Sequence, residues 1–487
     1  MMHLAGPLIP QPDDAEPKEP TEPAEPSKAA ETAIDAPPPW PDRTVWTSDG
    51  DLQIDGASTA AAAHTYGTPL ILVSERHVRD RCRAYRAAFP GTEVAYAAKA
   101  FLCTAMARWV HEEGLSLDLC SGGELAVATA VGFPAERLLL HGNAKPPREL
   151  AAARSAGVDR VVIDSMCEVN RLAVLAKRRS PQRVLLRITP GIRARTHKAI
   201  ATGGEDQKFG LSIATGEAAA VAERILHRPE LTLAGVHCHI GSQIATTGPF
   251  LAAARRAVAF LSELRDRFGV TLGELDLGGG HAVATVRGGT ALDPALLGAR
   301  LLTTVRAECA DRDLPMPRLT VEPGRAIVGN AGVTVYRVLA VKSRPGRGRF
   351  IAVDGGMSDN PRPALYGARH EIALVGRTTK APPRPATVVG RHCEAGDVLA
   401  HRADLPDDVH PGDLLAVACT GAYTHAMAST YNMVGRPPIA AIASGRARLL
   451  VRRETEADLL ARDMAHDKDR DMTGDMPSDM PRDVDQR

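Results

Sequence analysis

Short apolar segments alternate with longer stretches of helical period between about residue 70 and residue 327. The short segments are rich in Val, Ile and Leu, whereas the longer stretches are rich in Ala, Leu and Arg. This alternation predicts repeated strand–helix units that pair into a parallel sheet. Eight segments have the length and composition of strands: residues 94–98, 115–118, 138–141, 161–164, 184–188, 233–239, 275–277 and 319–322.

Eight such units predict a (β/α)8 barrel of the TIM type over residues 74–327. In that fold the chemical groups collect at the C-terminal ends of the strands. Polar or glycine-rich segments follow the predicted strands, beginning with Lys99 after the first and ending with Glu322 to Arg325 after the eighth. We therefore expect a site at this end of the barrel.

The pattern changes after about residue 328, where predicted strands follow one another without long helices and with Gly, Pro and Asp between them: residues 332–342, 349–356, 386–390, 414–418, 439–443 and 447–452. This predicts a mainly β domain over residues 328–455, and residues 41–73 are expected to add a strand to it. The Glu-Pro repeats of residues 1–40 predict a disordered leader. Residues 456–487 are expected to form a short helix followed by a disordered charged tail.

The composition argues against nucleic acid or a membrane as the binding partner. A formal net charge of +1 gives no field that would collect nucleic acid or a membrane surface. The chain has no apolar run near the roughly 20 residues of a spanning helix, and no signal-peptide pattern at its start. Eight cysteines without a CxxC pair argue against a zinc site or a disulfide framework, so we expect no metal and a cytoplasmic setting. Small molecules or copies of the chain itself are the expected partners.

Lys99 ends the first strand in an almost uncharged context, Ala-Tyr-Ala-Ala-Lys-Ala. A lysine whose surroundings disfavour its charge is a good amine nucleophile for a carbonyl group. The alternative is a surface lysine at a strand exit.

Gly278, Gly279 and Gly280 follow the seventh strand and would let backbone N–H groups approach a phosphate. Ser242 would add a hydroxyl to the same anion. The alternative is a tight turn, and the run is not a dinucleotide fingerprint because no GxGxxG opens a helix here.

Glu322 and Arg325 place an acid and a base at one rim of the barrel. They form either a structural ion pair or a site in which a carboxylate faces a pyridine nitrogen. His239 would cover the face of such a ring, or belong to the core. Because His237 has the same alternation phase, one of the two histidines is expected to be structural.

The β domain carries a Cys393-Glu394 pair in a polar loop, although cysteine is more often a small buried filler. Arg362, Tyr366 and Tyr423 lie in turn-rich segments and are suited to the capture of an anion.

Many short motifs resemble those of the diaminopimelate decarboxylases, both in their residues and in their order along the chain. These enzymes belong to the barrel-type pyridoxal phosphate decarboxylases, which include ornithine and arginine decarboxylases. The resemblance runs from about residue 60 to residue 450. It is carried by YAAKA (96–100), CSGGE (120–124), HGNAK (141–145), TPGI (189–192), EDQKFG (205–210), HCHIGSQI (237–244), LGGG (277–280), EPGRAIVGNAG (322–332), VDGGMSDNPRPALYG (353–367), CEAGD (393–397) and GAY (421–423).

The resemblance implies pyridoxal 5'-phosphate as the cofactor. Lys99 looks like the lysine that bonds to it, His239 like the histidine that stacks on the ring, and Glu322 like the partner of the pyridine nitrogen. The remaining residues implied to bind the cofactor are Ser242, Gly278, Gly279, Gly280, Gly324, Arg325 and Tyr423.

The resemblance also implies decarboxylation of meso-2,6-diaminopimelate to L-lysine and CO2, the last step of lysine biosynthesis. Arg325, Arg362 and Tyr366, with Tyr423 nearby, match positions that hold the distal carboxylate of the substrate, and Glu394 matches the acid that reads its distal ammonium. Pairing Arg362 with Glu394 suits a zwitterionic end, since losing either partner leaves a desolvated charge unpaired. Cys393 or Lys99 would return a proton to the product carbon. The Cys393-Glu394 loop is implied to enter the site of a neighbouring subunit, so a homodimer with shared active sites is expected.

Other functions stay open at this point. A decarboxylase of ornithine or arginine would need no Arg362, a non-catalytic cofactor-binding regulator would need no Lys99, and an amino-acid racemase would leave the Cys-Glu loop unexplained.

The chain differs from the resemblance directly after the three glycines. It reads His281-Ala282-Val283-Ala284 in place of an apolar residue and a further glycine. His281 is either a solvent-facing substitution or a change in the rim of the site.

Overall fold

The computed structural model describes residues 39–176, 180–192, 203–204, 207–345 and 348–464. Most of the predicted leader (1–38) and of the predicted tail (465–487) lies outside the described residues. Before the barrel, the chain forms a small antiparallel sheet, one helix and a buried strand. These elements are β1 (Thr44–Trp46), β2 (Leu52–Ile54), β3 (Ala57–Ser58), α1 (Thr59–Tyr66) and β4 (Leu70–Ser74).

Within the described residues, eight parallel strands close into a barrel, as the sequence predicts. Each lies within two residues of a predicted segment: β5 (Glu93–Ala97), β6 (Ser116–Leu119), β7 (Leu138–Leu140), β8 (Arg160–Ile163), β9 (Gln182–Thr189), β11 (Leu231–His237), β12 (Glu274–Asp276) and β13 (Arg318–Val321). Neighbours in the chain pair in parallel, β13 pairs with β5, and the short β10 (Leu211–Ser212) pairs with β9 alone. The strands are apolar on both faces because helices cover the outside and side chains fill the inside.

The helices around the barrel begin and end where the sequence supplies caps. Ser121 and Ser165 accept hydrogen bonds from the backbone of the first turn, and Gly269 ends the longest helix in the left-handed conformation. The helices are α2 (Glu75–Ala88), α3 (Thr104–Glu112), α4 (Gly122–Ala130), α5 (Pro147–Ser155), α6 (Met166–Leu175), α7 (Glu217–Leu226), α8 (Gly248–Phe268), α9 (Pro294–Ala310) and α10 (Arg325–Val328).

The rest of the chain forms a mainly β region in which the long strand β14 is the common partner. β14 pairs with β15 and β19, and also with β4 from before the barrel. Its elements are β14 (Gly332–Arg344), β15 (Gly348–Val353), α11 (Arg362–Tyr366), β16 (Ile372–Val375), β17 (Pro383–Val389), β18 (Val398–Pro406), β19 (Leu414–Ala418), β20 (Ile439–Ala443), β21 (Arg446–Val451) and α12 (Glu456–Leu460).

Among the helices of the described residues, none has the length and apolar character needed to cross a membrane. All eight cysteines are free thiols. One apolar core fills the barrel and its helices, and two smaller cores lie within the β region. The barrel core leaves polar side chains at the C-terminal strand ends, where the candidate site lies.

Candidate active site

A single cleft at the C-terminal end of the barrel brings most of the predicted residues together. Lys99 sits in a short 3-10 turn, Ala98–Ala100, directly after β5. Tyr423 reaches the cleft from the β region, and its backbone N–H donates to the carbonyl oxygen of Ala100 at 2.8 Å. The predicted residues that line the cleft are Lys99, His239, Ser242, Gly280, Glu322, Gly324, Arg325 and Tyr423.

The amine of Lys99 pairs with a buried carboxylate, which the sequence reasoning missed. Lys99 Nζ lies 2.8 Å from Asp118 Oδ2, at the end of the neighbouring strand β6. Burial, the largest single effect, would lower the pKa of Lys99, but Asp118 together with Cys120, Tyr423 and Glu322 outweighs it, and the pKa lies well above the usual value. The expectation that the surroundings of Lys99 disfavour its charge is therefore wrong for this structure. The partner lies on the next strand, where the local context of Lys99 does not reveal it.

Glu322 is held by two histidines beneath the cleft. Nε2 of His141 lies 2.7 Å from Oε1 of Glu322, and Nε2 of His237 lies 3.3 Å from Oε2. Burial alone would raise the pKa of Glu322, but the two histidines lower it well below its usual value. Glu322 is thus an ionised carboxylate rather than the partner of Arg325 in an ion pair.

The two histidines of the HCH motif divide as expected. His237 is fully buried against Glu322, and burial lowers its pKa to about 4. His239 lines the cleft, and its Nδ1 accepts a hydrogen bond from the backbone N–H of Gly279 at 3.2 Å. Burial and the nearby Lys99 lower the pKa of His239 well below its usual value, so its ring is neutral.

The three glycines are required by close backbone contacts. A Cβ on Gly279 would collide with the carbonyl oxygen of Glu322, and one on Gly280 with that of Gly241. Gly278 and Gly280 also have positive φ angles, +64° and +98°. The N–H of Gly278 donates to Asp276 Oδ1 at 2.8 Å and that of Gly279 to His239, so the protein itself uses two of the three N–H groups.

Gly324 makes a second close contact at the site. A Cβ on Gly324 would lie 3.0 Å from the Cβ of Ala97 and 3.1 Å from that of Ala100, on either side of Lys99. The absence of a side chain here lets the start of α10 pack against the segment that positions Lys99.

Two buried guanidinium groups give the site a strong preference for anions. Arg325 donates to Ser242 Oγ at 3.3 Å and stacks on the ring of Tyr423, 4.6 Å from its centroid. The Nε and NH1 atoms of Arg325 and of Arg362 are buried without a hydrogen-bond partner among the described residues. Burial and the proximity of Arg325 lower the pKa of Arg362 to about 10. Buried cations without partners are costly, so this region is built to receive an anionic group.

The Cys393-Glu394 pair does not belong to the cleft of its own chain. Both residues are exposed, in the loop between β17 and β18. The N–H of Cys393 donates to Asn432 Oδ1 at 3.2 Å, and the hydroxyl of Tyr431 lies 3.4 Å from Glu394 Oε2. Tyr366 is half-buried at the end of α11, which begins with Arg362.

His281 is buried, and the interpretation of it as a solvent-facing substitution is wrong. Its Nδ1 lies 3.0 Å from the hydroxyl of Tyr85, and its ring stacks on that tyrosine at 5.5 Å and meets Phe250 edge to face. Burial lowers its pKa to about 3. His281 also borders the cleft. The sequence that differs from the resemblance, beginning at His281, therefore changes how side chains pack at the rim of the site.

Sequence reasoning gave no role to three buried groups of the site: Asp118, His141 and Asp276. Asp276 ends β12, His141 directly follows β7 and Asp118 is the next-to-last residue of β6, so all three lie at the rim where the barrel fold places its chemistry. His141, His237, Asp276 and Glu322 offer ligand atoms within 4.8 Å of one another, and contacts within the group account for this closeness.

Comparison with known proteins identifies the class to which this site belongs. Residues 75–329 match the family model described as the pyridoxal-binding domain of pyridoxal-dependent decarboxylases. The chain belongs to this family of carboxy-lyases, and its cofactor is pyridoxal phosphate.

Within that family, similar proteins at 40–53% identity are diaminopimelate decarboxylases. The protein of that name from Actinosynnema pretiosum subsp. auranticum is 53% identical over 85% of this chain and 93% of its own length. The one from Mycobacterium tuberculosis is 47% identical over 88% and 98%. The structure of diaminopimelate decarboxylase from M. jannaschii in complex with L-lysine is 32% identical, with a TM-score of 0.81 over 87% of this chain and 98% of that one. The sequence resemblance and the barrel fold are thereby confirmed.

The residues present fit pyridoxal phosphate. Arg325 has buried guanidinium nitrogens without a partner, and the glycine run leaves no room for side chains. An ionised carboxylate, Glu322, and an amine, Lys99, face the same cleft. These are the groups needed to bind a phosphate, a pyridine nitrogen and an aldehyde.

Proposed function

We propose that this chain removes CO2 from meso-2,6-diaminopimelate to form L-lysine. The observation that carries the proposal is the buried guanidinium of Arg362, whose Nε and NH1 atoms have no partner among the described residues. Diaminopimelate ends in a carboxylate that would pair with such a group. Ornithine and lysine end in an ammonium alone, which a buried cation would repel.

The remaining residues take roles around the cofactor. Lys99 would hold its aldehyde carbon, Glu322 would hold a proton at its pyridine nitrogen, and neutral His239 would cover its ring. The residues that would bind its phosphate are Ser242, Gly278 to Gly280, Gly324, Arg325 and Tyr423. When bound, the cofactor supplies a conjugated ring that accepts the electron pair left by the departing carboxylate.

The residues of the chain bind and orient the substrate and move one proton. Arg325, Arg362 and Tyr366 hold the distal carboxylate, so the carboxylate to be lost has a fixed direction. Within one chain, Lys99 Nζ is the proton donor that faces the cleft. Cys393 takes that role if the Cys393-Glu394 loop enters the cleft of a second chain, where Glu394 would meet the distal ammonium.

We further propose a homodimer with shared active sites. The loop that bears Cys393 and Glu394 is exposed in the single chain, and beside it Tyr431 and Met433 are also exposed, Met433 by 62%. Exposed apolar side chains next to functional polar ones are typical of an interface. A cytoplasmic location stays a prediction from the scattered cysteines.

The test is CO2 release by the cofactor-loaded enzyme from meso-diaminopimelate, L-lysine, L-ornithine and L-arginine. We expect turnover of meso-diaminopimelate alone, and none by Lys99→Ala. Arg362→Leu should raise KM for meso-diaminopimelate by about ten- to a hundred-fold, the effect of losing hydrogen bonds to a charged group. Arg369→Leu, an exposed arginine seven residues away, is the matched control. Turnover of ornithine, together with an unchanged KM in Arg362→Leu, would contradict the proposal.

A further inference from the structure

Asp276 is a buried acid at the centre of the barrel rim that the mechanism above does not use. It is the last residue of β12 and is 1% exposed. Its neighbours come from three other strands: His237 ends β11, His141 follows β7 and Glu322 follows β13. Among the described residues, no lysine or arginine forms an ion pair with Asp276; Arg160, at the start of β8, acts on it only at longer range.

The two oxygens of Asp276 have different surroundings. Oδ1 accepts the backbone N–H of Gly278 at 2.8 Å, whereas Oδ2 is buried with no donor among the described residues. A carboxyl oxygen of Asp276 lies within 4.8 Å of a carboxyl oxygen of Glu322. Two buried carboxyl groups this close do not both ionise, so one of them carries a proton.

The surroundings of the pair decide which acid carries that proton. Glu322 has the imidazole nitrogens of His141 and His237 against its two oxygens, at 2.7 and 3.3 Å. Asp276 has one backbone N–H. The negative charge is therefore better stabilised on Glu322, and the proton belongs on Asp276.

We propose that Asp276 is a neutral, protonated acid that donates a hydrogen bond to Glu322 and accepts one from Gly278, and that it thereby positions Glu322 as a full carboxylate. The directions of the pKa shifts agree with this. Burial, and next the charge of Glu322, raise the pKa of Asp276 well above its usual value.

Asp276 is thus a positioning residue that links two parts of the site. One oxygen fixes the first glycine of the run that follows β12, and the other fixes the carboxylate at the base of the cleft. If Asp276 were ionised, two adjacent buried negative charges would repel each other and Glu322 would take up the proton. The inference rests on the proposed role of Glu322 at the pyridine nitrogen, but the protonation of Asp276 is testable in the cofactor-free protein.

The test compares Asp276→Asn with Asp276→Leu. Asparagine has the same shape as a protonated aspartic acid, and it keeps one donor for Glu322 and one acceptor for Gly278. Leucine has the same number and branching of side-chain heavy atoms but neither group. We expect Asp276→Asn to keep cofactor affinity and kcat within about three-fold, whereas Asp276→Leu should lose about ten- to a hundred-fold in cofactor affinity, as expected when hydrogen bonds to a charged group are removed.

A second measurement detects the proton on the Asp276 carboxyl group directly. Infrared spectra of the cofactor-free protein at pH 7 should show a C=O stretching band of protonated carboxyl groups, shifted in D2O. This band should weaken by one carboxyl group in Asp276→Asn, while the contribution of Asp359, whose pKa burial raises to about 7, remains in both proteins. If this band is unchanged in a folded Asp276→Asn variant, Asp276 is ionised and the inference is overturned. A folded Asp276→Asn variant that loses cofactor affinity as Asp276→Leu does would also overturn it. Wild-type protein that shows the Asp276 part of the band but releases no CO2 would instead contradict the proposed function and leave the protonation of Asp276 standing.

Discussion

Among the neighbours that keep Lys99 charged, Asp118 acts most strongly, and its effect can be measured. Asp118 lies 2.8 Å from the Lys99 amine and raises its pKa against the effect of burial. Only the uncharged amine attacks a carbonyl, so the pair delays capture of the cofactor aldehyde at neutral pH.

Asp118→Asn should lower the pKa of Lys99, because the stabilising negative charge is lost. The pH profile of cofactor capture, followed by visible absorption, should therefore move to lower pH and be faster at pH 7. Asp80→Asn, on the exposed side of α2, is the matched control. An unchanged profile in Asp118→Asn would mean that Asp118 does not control the charge of Lys99.

The positions of individual site residues could be predicted from the sequence, but their partners on other strands could not. The positions of Lys99, Ser242 and Glu322 at strand ends follow from the barrel pattern, and the structure brings them into one cleft. Asp118 and Asp276 were missed because each closes an apolar strand segment and acts through a partner on another strand. The environment of His281 was missed because Tyr85, its stacking partner, is almost two hundred residues away in the chain.

At the scale of elements, buried ion pairs link the strands at the N-terminal end of the barrel, opposite the candidate active site. Arg160 at the start of β8 is fully buried and contacts three acids: Glu93 at 2.7 Å, Asp159 at 2.8 Å and Glu274 at 3.2 Å. Glu93 begins β5 and Glu274 begins β12. One guanidinium thus joins strands on opposite sides of the barrel.

Arg160→Met should lower the free energy of unfolding by about 3 kcal/mol, because it removes the fully buried partner of Glu93 and Glu274 and leaves each with one partly exposed arginine, Arg318 or Arg183. Arg318→Met is the matched control, since Arg318 is half exposed and, among the described residues, forms an ion pair with Glu93 alone; its cost should be at most about 1 kcal/mol. Urea unfolding measures both, and kcat should change little because the site is at the other end. Equal unfolding midpoints for the two variants would contradict this account.

The barrel strands could be predicted from the sequence more completely than the strands of the β region. The barrel strands were found because strands covered on both faces are continuous runs of Val, Ile and Leu. Two strands of the β region were missed, β16 and β18. β18 reads VLAHRADLP, in which charged residues on the exposed face interrupt the apolar pattern, and β16 has only four residues. Half-exposed strands therefore give a weaker signal than buried ones.

At the scale of the whole molecule, the proposed dimer predicts complementation between two inactive variants. Lys99→Ala lacks the cofactor lysine, and Glu394→Ala lacks the group proposed to enter the second site. Co-expressed with different tags, they should form mixed dimers with one intact site each, and about a quarter of the wild-type activity should return. A mixture as inactive as its parents would show that each chain builds its site alone.

Acid stability is a property of the whole fold to which buried histidines contribute. His237, His281 and His370 are buried, and burial lowers their pKa values to about 4, 3 and 3. An unfolded histidine titrates near 6.5, so between about pH 6.5 and pH 4 the unfolded chain binds protons that the native chain excludes. Each histidine therefore stabilises the fold above pH 6.5 and loses that contribution as the pH falls. Asp359, whose pKa burial raises from 3.8 to about 7, acts in the opposite direction over the whole of this range.

The contribution of a single histidine can be isolated from this balance. His281→Phe keeps the ring packed between Tyr85 and Phe250 but removes the titrating group. The slope of unfolding free energy against pH near pH 5 should therefore fall by about 1.4 kcal/mol per pH unit, the linkage of one proton. His64→Phe, on an exposed face of α1, is the matched control. If both variants keep the wild-type slope, then His281 is protonated in the folded protein, and the stacked pair at the rim of the cleft carries a positive charge beside the site.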